Sequence, residues 1–332
     1  MKAQIIVLNW NGREMTANCL HSLLGMRAAE LSVTVIDNGS SDGSVEFLRN
    51  QFPEIEVLPQ GRNLGFAAGC NVGMKRALQT GTEFILLVNN DTEVDPDMLA
   101  ELLREAEKDP SAAMVSPKIL YFDLPDRIWW AGGRYNLWHG IPSHIGRRSK
   151  DEGQFDEPRS IDWATGCVLL LRSQALSEVG LFDERLFGNG EDLDLSLRLR
   201  RANWRIRYAP RAKVWHKEGV DYRRNVGEYV RTFTFTRNLL WIMHKHATRA
   251  QWLTFAPQFV PFLLIITAQR ARHGDMRSVK AVWEGVRAYF EMRHDPDLLA
   301  LPPELIRTTL PSVVEHMPKA IPSSASSSVS RN

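Results

Sequence analysis

The chain has 332 residues, enough for one large or two modest domains with a real core. Its 44% hydrophobic and 24% charged residues are ordinary globular values, which excludes a purely extended or solvating chain. A formal net charge of +2 is too close to neutral to argue for a nucleic-acid partner. The positive charge is unevenly spread, gathering late in Arg198, Arg200, Arg201, Arg205, Arg207, Arg211, Lys213, Arg223 and Arg224. Such a cluster suits phosphate-bearing partners or an anionic membrane surface, and equally a solvated face. Cys19, Cys70 and Cys167 form no CxxC pair and sit among small or apolar neighbours. They read as buried free thiols in a reducing compartment. The stretch before Asn9 is short and carries one lysine, unlike a signal peptide. The expected location is the cytoplasm, with peripheral contact on the cytoplasmic face of the membrane.

Four apolar runs open the chain: Gln4–Leu8, Ser32–Ile36, a weaker Glu56–Leu58, and Phe84–Val88. Helical patterns at Arg13–Leu24, Gly43–Gln51 and Phe66–Leu78 lie between them. Buried strands each followed by a helix predict a parallel sheet with right-handed crossovers, an α/β fold. Ligands bind beyond the carboxyl ends of such strands. Three of the four ends are polar: Asn9-Trp10-Asn11-Gly12, Asp37-Asn38-Gly39-Ser40 and Asn89-Asn90-Asp91.

Further along, Asp97–Lys108 reads as a helix, Ala112–Ser116 as a strand, and 119–160 as loops or hairpins rich in Trp, Gly and His. Ile161–Arg172 is apolar again, around Gly166. Asp192–Arg200 is ambiguous, because Leu193, Leu195, Leu197 and Leu199 alternate with polar residues as in a strand. Good helix formers and an acidic first turn after Asn189-Gly190 favour a helix. Beyond residue 225 the pattern is helical. Phe255–Ala268 is very apolar but contains Pro257, Gln258 and Pro261, and falls short of the roughly 20 residues that span a bilayer. It reads either as a membrane-surface segment or as a buried helix. The Pro/Ser-rich stretch from Ile321 is expected to be disordered. The predicted organisation is thus a catalytic unit over 1–220, a helical region over 221–320 and a tail over 321–332.

Several residues have the chemistry for nucleotide-sugar transfer. Two phosphates are commonly neutralised by a divalent cation that keeps several waters and few protein carboxylates, so Asp91 at a strand end would suffice; it equally suits the opening of a turn. Asp37 can accept hydrogen bonds from a base or ribose, or organise a turn and cap. Arg62-Asn63, before the small residues 65–69, favours phosphate approach. In Glu191-Asp192 a carboxylate facing an acceptor can act as a general base, or simply complement a helix dipole. His216 is a candidate metal ligand, although a lone histidine is often structural. Trp129, Trp130, Trp138 and above all Trp163 could stack on a sugar, or pack a hairpin region.

The motifs Ile5-Ile6-Val7-Leu8-Asn9-Trp10-Asn11-Gly12, Asp37-Asn38-Gly39-Ser40-Ser41-Asp42-Gly43-Ser44, Asn63-Leu64-Gly65-Phe66-Ala67, Asn89-Asn90-Asp91, Glu191-Asp192-Leu193-Asp194-Leu195 and Trp215-His216 occur in the order seen in family 2 glycosyltransferases. Over about residues 3–220 the sequence resembles their rhamnosyltransferase-like branch. The resemblance implies a GT-A fold with a C-terminal helical extension, inversion at the anomeric carbon, and Mg²⁺ or Mn²⁺. The donor expected is a nucleoside-diphosphate-sugar; a saccharide or lipid-linked acceptor is expected from the basic late region and Phe255–Ala268, and no nucleic acid from the near-neutral charge. The resemblance casts Asp192, with Glu191, as catalytic. It makes Asn9 and Asp37 nucleotide contacts, Asp91 a metal ligand and His216 a metal or diphosphate contact; Asn11, Ser40, Arg62, Asn63 and Asn90 are further nucleotide candidates, and Trp163 with Gly166 sugar candidates. Two departures stand out. Asn89 replaces an acid at the first DxD position, and Phe187-Gly188-Asn189-Gly190 precedes Glu191, where the family often has an aromatic residue directly before the acidic pair.

Two other functions fit parts of the pattern. A sugar-phosphate nucleotidyltransferase would want a glycine-rich basic loop after the first strand, where this chain has Asn9-Trp10-Asn11-Gly12-Arg13. A non-catalytic sugar-binding protein on the same fold would need no base, whereas Asp37, Asp91 and Asp192 occur together.

Overall fold

The computed structural model describes residues 3–27, 32–217 and 227–295, with positions 298, 299, 301 and 305 beyond them. Arg223, Arg224 and the expected tail from Ile321 lie outside the described residues.

The chain opens as β1 (Ala3–Asn9), α1 (Arg13–Leu24), β2 (Ser32–Asp37), α2 (Ser44–Gln51), β3 (Glu56–Pro59), α3 (Phe66–Gln79) and β4 (Phe84–Asn89). Ile5, Ile6, Val7, Val35, Ile36, Ile85 and Leu86 are all but wholly buried, as strands covered on both faces require. β1 pairs in parallel with β2 on one flank and β4 on the other, and β2 pairs in parallel with β3. The chain therefore winds outward from β1 to β3 and then crosses back to the other side of β1. That reversal opens a crevice beyond the carboxyl ends of β1 and β4.

Next come β5 (Thr92–Val94), α4 (Met98–Lys108) and β6 (Ala112–Tyr121), then the short strands β7 (Ile128–Trp130), β8 (Gly133–Arg134), β9 (Ser143–His144) and β10 (Arg159–Ser160). β11 (Val168–Arg172), α5 (Ser173–Val179), α6 (Glu191–Arg201) and β12 (Arg205–His216) complete the sheet region. β11 lies antiparallel between β4 and β6, and β12 runs parallel beside β6. The result is a ten-stranded mixed sheet in the order β10-β12-β6-β11-β4-β1-β2-β3, with β5 on β12 and β7 on β6.

The segment that reads ambiguously folds as the helix α6. Its leucines alternate because the helix is buried on most sides: Leu193, Asp194, Leu195, Ser196, Leu197 and Leu199 are all covered. Among the described residues of the late basic run, four are spent on ion pairs and others lie singly along β12. Arg205, Arg211 and Lys213 project from β12 between the buried Ile206, Ala212 and Val214. Arg207 pairs with Glu105, Arg205 with Asp109, Arg198 with Asp194 and Arg200 with Asp162.

Three helices follow: α7 (Gly227–His246), α8 (Arg249–Arg272) and α9 (Met276–His294). The core is continuous from the sheet into all three. α8 begins with a Thr248/Gln251 capping box and carries Pro257 and Pro261 without ending. Only Phe255, Phe259 and Leu263 are buried, one stripe at four-residue spacing. Leu253, Val260, Leu264 and Ile265 are all more than half exposed. The buried-helix alternative is thus not what forms. The 24-residue helix is long and apolar enough to cross a membrane by length and composition. An apolar cavity of about 510 Å³ lies between α7, α8 and α9, lined by Leu240, Phe255, Phe259, Trp283 and Phe290 among others and by none of the expected site residues.

Candidate active site

The ends of β1 and β2 are tied together by side chains. Asn9 is fully buried, and its Nδ2 donates to Asp37 Oδ2 at 2.7 Å and to Ser40 Oγ at 3.1 Å. Asp37 Oδ1 accepts the Ser40 N–H at 3.0 Å. The Asn11 N–H donates to Ser40 Oγ at 2.8 Å, while its side-chain oxygen accepts the Ser41 N–H at 2.8 Å. Asn11 adopts φ 53°, a left-handed conformation that asparagine tolerates well. Asp37 is 1% exposed, so its carboxylate organises this turn. Asn63 joins through Asn38, whose Nδ2 donates to Asn63 Oδ1 at 2.9 Å. Gly39, at φ 77°, lets the turn lie against the Arg62 backbone, where a Cβ would come within 2.4 Å of the Arg62 carbonyl carbon. Arg62 is exposed beside it. Asn90 Nδ2 donates to Thr16 Oγ1 at 3.0 Å, and Thr16 Oγ1 donates to Asn9 Oδ1 at 2.7 Å. Thr16, which sequence reasoning missed, thereby links the ends of β1 and β4.

Asp91 and His216 meet across 125 residues of sequence, with Nε2 to Oδ2 at 3.2 Å. The antiparallel pairing of β5 with β12, which sets His216 opposite Thr92, makes the contact. Asp91 Oδ1 and His216 Nδ1 are buried without a hydrogen-bond partner. Burial opposes charge on His216, but the neighbouring Cys167 and Asp91 more than offset it and hold the imidazole well above its usual range. A buried carboxylate oxygen without a partner is costly, and a bound cation would remove that cost. The carboxylate is a suitable donor for a divalent ion, and the imidazole becomes one on giving up its proton as the ion binds. Among the described residues no group of three or more His, Cys, Asp or Glu side chains could hold a metal. The pair therefore fits an ion that takes its other ligands from substrate oxygens and water.

Asp192 stands in the first turn of α6. Its Oδ2 accepts the Gly166 N–H at 2.7 Å and its Oδ1 the Leu193 N–H at 2.7 Å. Burial raises its pKa to about 6, against the lowering effect of those N–H bonds. Glu191 is pushed well above the carboxylate range, first by burial and then by the Asp192 charge, and its Oε2 has no partner. The two acids are therefore unequal: burial and the Asp192 charge favour the protonated form of Glu191, whereas Asp192 is raised only to about 6. Gly166 also connects this centre to the Asp91 pair. The next residue, Cys167, accepts the Asn89 N–H at 2.9 Å at the end of β4 and lies beside His216.

Trp163 does not offer a stacking face. Its ring is 6% exposed, packed at 4.7 Å from the Trp130 centroid and 5.5 Å from that of His144, and its indole N–H donates to Arg134 O. Trp129 is likewise buried, at 4.5 Å from the His216 ring, so these indoles wall the site. Trp138 is the exposed member, at 47%. Phe66, unassigned from sequence, lies against both Gly166 and Gly188.

Comparison with known proteins gives the family and the fold. Residues 4–180 match the profile of glycosyl transferase family 2. The chain is 30% identical over 224 residues to the N-acetylglucosaminyl-diphospho-decaprenol L-rhamnosyltransferase of Mycobacterium tuberculosis, covering 60% of this chain and 71% of that protein. It is 27% identical over 271 residues to galactofuranosyltransferase GlfT1 of Mycolicibacterium smegmatis, covering 77% and 88%. Among solved structures, a mannosyltransferase from Pyrobaculum calidifontis in complex with GDP-Man and Mn²⁺ superposes with TM-score 0.54 at 14% identity, over 90% of this chain and 77% of that one. GalNAc-T7 with UDP, GalNAc and Mn²⁺ gives TM-score 0.54 at 16% identity, over 71% of this chain and 47% of that one. The fold is GT-A, with a helical C-terminal region. With its ordered strand-end motifs and the profile match over more than half its length, the chain belongs to glycosyl transferase family 2 and is a glycosyltransferase.

Proposed function

We propose that this glycosyltransferase moves a hexose-type sugar, rhamnose foremost, from a nucleoside-diphosphate donor to a hydroxyl of a saccharide or lipid-linked acceptor, with inversion by direct displacement. The observation that carries the proposal is Asp192, a carboxylate held by two backbone N–H groups with its pKa raised to about 6. A base near the working pH is the best compromise between being ionised and accepting a proton. Asp192 takes the acceptor hydroxyl proton as the oxygen attacks the anomeric carbon and the nucleoside diphosphate departs. Burial and the Asp192 charge favour the protonated form of Glu191, which makes it the poorer base of the two.

Asn9, Asn11, Asp37 and Ser40 form the turn against which the base and ribose would rest, and Arg62, Asn63 and Asn90 border the diphosphate. Asp91 and His216 would hold Mg²⁺ or Mn²⁺. Such an ion stabilises negative charge on the departing diphosphate. The preference for rhamnose, and for a lipid-linked acceptor, draws on the named activity of the mycobacterial rhamnosyltransferase. The exposed apolar side chains of α8 support contact with a membrane surface carrying that acceptor.

The test is a panel of UDP-, GDP- and dTDP-activated sugars, rhamnose and galactofuranose included, assayed for Mn²⁺-dependent binding and for transfer to a short-chain N-acetylglucosaminyl-diphospho-prenol. Transfer with inversion from one donor is expected. Release of pyrophosphate from a nucleoside triphosphate, or retention of anomeric configuration, would overturn the proposal.

A further inference from the structure

Asp192 hangs from an unusual turn. Phe187, Asn189 and Gly190 adopt φ 61°, 70° and 99°. Left-handed backbone is strained at a bulky residue such as phenylalanine, and it persists only where the surroundings over-determine it. Helix α7 supplies those surroundings. Asn238 Nδ2 lies 2.8 Å from Leu186 O, 2.9 Å from Gly188 O and 2.6 Å from Asn189 O. Arg237 Nη2 donates to Arg185 O at 3.1 Å and to Leu186 O at 3.0 Å. The Arg237 Nε donates to Asn238 Oδ1 at 2.8 Å, which turns the amide NH₂ toward the carbonyls. Both side chains are fully buried, at 0% and 1% exposed. Burying a guanidinium is costly unless its donors are used, and here they are used on main-chain oxygens. From the other side, Phe187 O accepts the Phe66 and Ala67 N–H groups at 2.6 and 3.2 Å. In the same first turn of α6, Asp194 accepts from Lys245 and His246 at the end of the same α7, both at 2.7 Å.

We infer that Arg237 and Asn238 are positioning residues for Asp192, holding the turn that fixes where the carboxylate stands. The inference rests on the reading of Asp192 as the base. It gives the C-terminal helices a part in catalysis, since α7 also packs against α9 and lines the apolar cavity through Leu240.

The test is a double-mutant cycle on the full-length chain. Asn238→Ala and Asp192→Asn, singly and together, are assayed with the fastest donor from the panel, alongside UDP–Mn²⁺ affinity and melting temperature. Asn238→Ala is expected to lower kcat by about 10- to 100-fold, the scale of a misplacement of about 1 Å, and to leave UDP–Mn²⁺ affinity within about twofold, because that site lies on other elements. On the Asp192→Asn background the same substitution is expected to cause no further loss, since a residue acting through the base has nothing left to position. Arg237→Lys, which keeps the charge but loses the fork, carries the same cycle if Asn238→Ala does not fold. Losses that add in the double variant, or unchanged kcat in a folded variant, would overturn the inference while leaving Asp192 as base. Full activity of Asp192→Asn would overturn both.

Discussion

The Gly166 amide donates to the Asp192 carboxylate at 2.7 Å, which ties the first turn of α6 to the residue before Cys167 at the entrance to β11. Because Cys167 O in turn accepts the Asn89 N–H, the carboxylate is anchored to the end of β4, where Asn89-Asn90-Asp91 stands. With a pKa near 6, Asp192 is ionised through most of the neutral range. Activity that requires the ionised form should rise with pH, giving kcat/KM an acid limb centred at about pH 6 and a plateau above it. Asp192→Asn is expected to lower kcat by about 10²- to 10⁴-fold, the usual contribution of a general base. A pH–rate profile with no limb between about pH 5 and 7 would count against the assignment.

Glu191 gives a stability prediction of definite sign. Its pKa is raised in the fold, so the stability it contributes is present below its unfolded value of about 4.5 and is lost as pH rises toward the folded value. Above about pH 4.5 the unfolded chain ionises Glu191 more readily than the folded chain does. Glu191→Gln removes that penalty while keeping the shape. The variant should melt higher than the parent at about pH 7–8, and the gap should close toward about pH 4. Thermal melts across this range check it, and activity should stay within about tenfold because Asp192 remains.

The parallel half of the sheet was legible because three of its four buried strands end abruptly in polar residues, and strand ends in a parallel sheet are where ligands gather. Asn9, Asp37 and Asn89-Asn90-Asp91 all fall there. What escaped was non-local or irregular. The alternation of β12 was hidden because the exposed positions carry Arg and Lys and read as a charge cluster, although their partners Glu105 and Asp109 lie far away in sequence. The left-handed conformations of Phe187 and Asn189 leave no compositional mark, since neither is glycine. Arg237 and Asn238 sit in an apolar helical stretch, and nothing local shows that they face carbonyls some 50 positions back. Trp163 stayed open for the converse reason: a tryptophan beside a glycine suits a sugar platform or a packed wall, and its contacts with Trp130 and His144 are tertiary.

Asp91 and His216 should differ in their effect on metal affinity. The carboxylate provides charge as well as a donor atom, whereas the imidazole provides a neutral nitrogen or a hydrogen bond to the carboxylate. His216→Gln is expected to weaken Mn²⁺ binding in the presence of UDP by about 10- to 100-fold, the scale of losing a group that orients a ligand. Asp91→Asn should weaken it further, and EDTA should abolish transfer by the parent chain. Calorimetric titration of Mn²⁺ into each variant with UDP present gives the ranking. Equal affinities in all three proteins would remove Asp91 and His216 from the metal site.

The exposed face of α8 makes a prediction independent of the chemistry. Leu253 is 78% exposed, and Leu264 and Ile265 are 53% and 56% exposed, while Phe255, Phe259 and Leu263 face the protein. Substituting Leu264 and Ile265 by Ser therefore removes apolar surface that the fold does not use, and melting temperature should hold. If this face enters a lipid surface, each large side chain contributes about 1.5 kcal/mol or more on burial, and losing two should weaken binding to anionic phospholipid vesicles by about a hundredfold. Arg272 at the end of α8 should make the remaining binding salt-sensitive, Arg270 being paired with Glu228 and Asp275. Transfer to a short-chain acceptor in solution should be unchanged, whereas transfer to a long-chain acceptor in vesicles should fall with the lost affinity. Vesicle sedimentation and paired assays on the two acceptors separate these effects, and equal losses on both would place the face in the protein's own architecture.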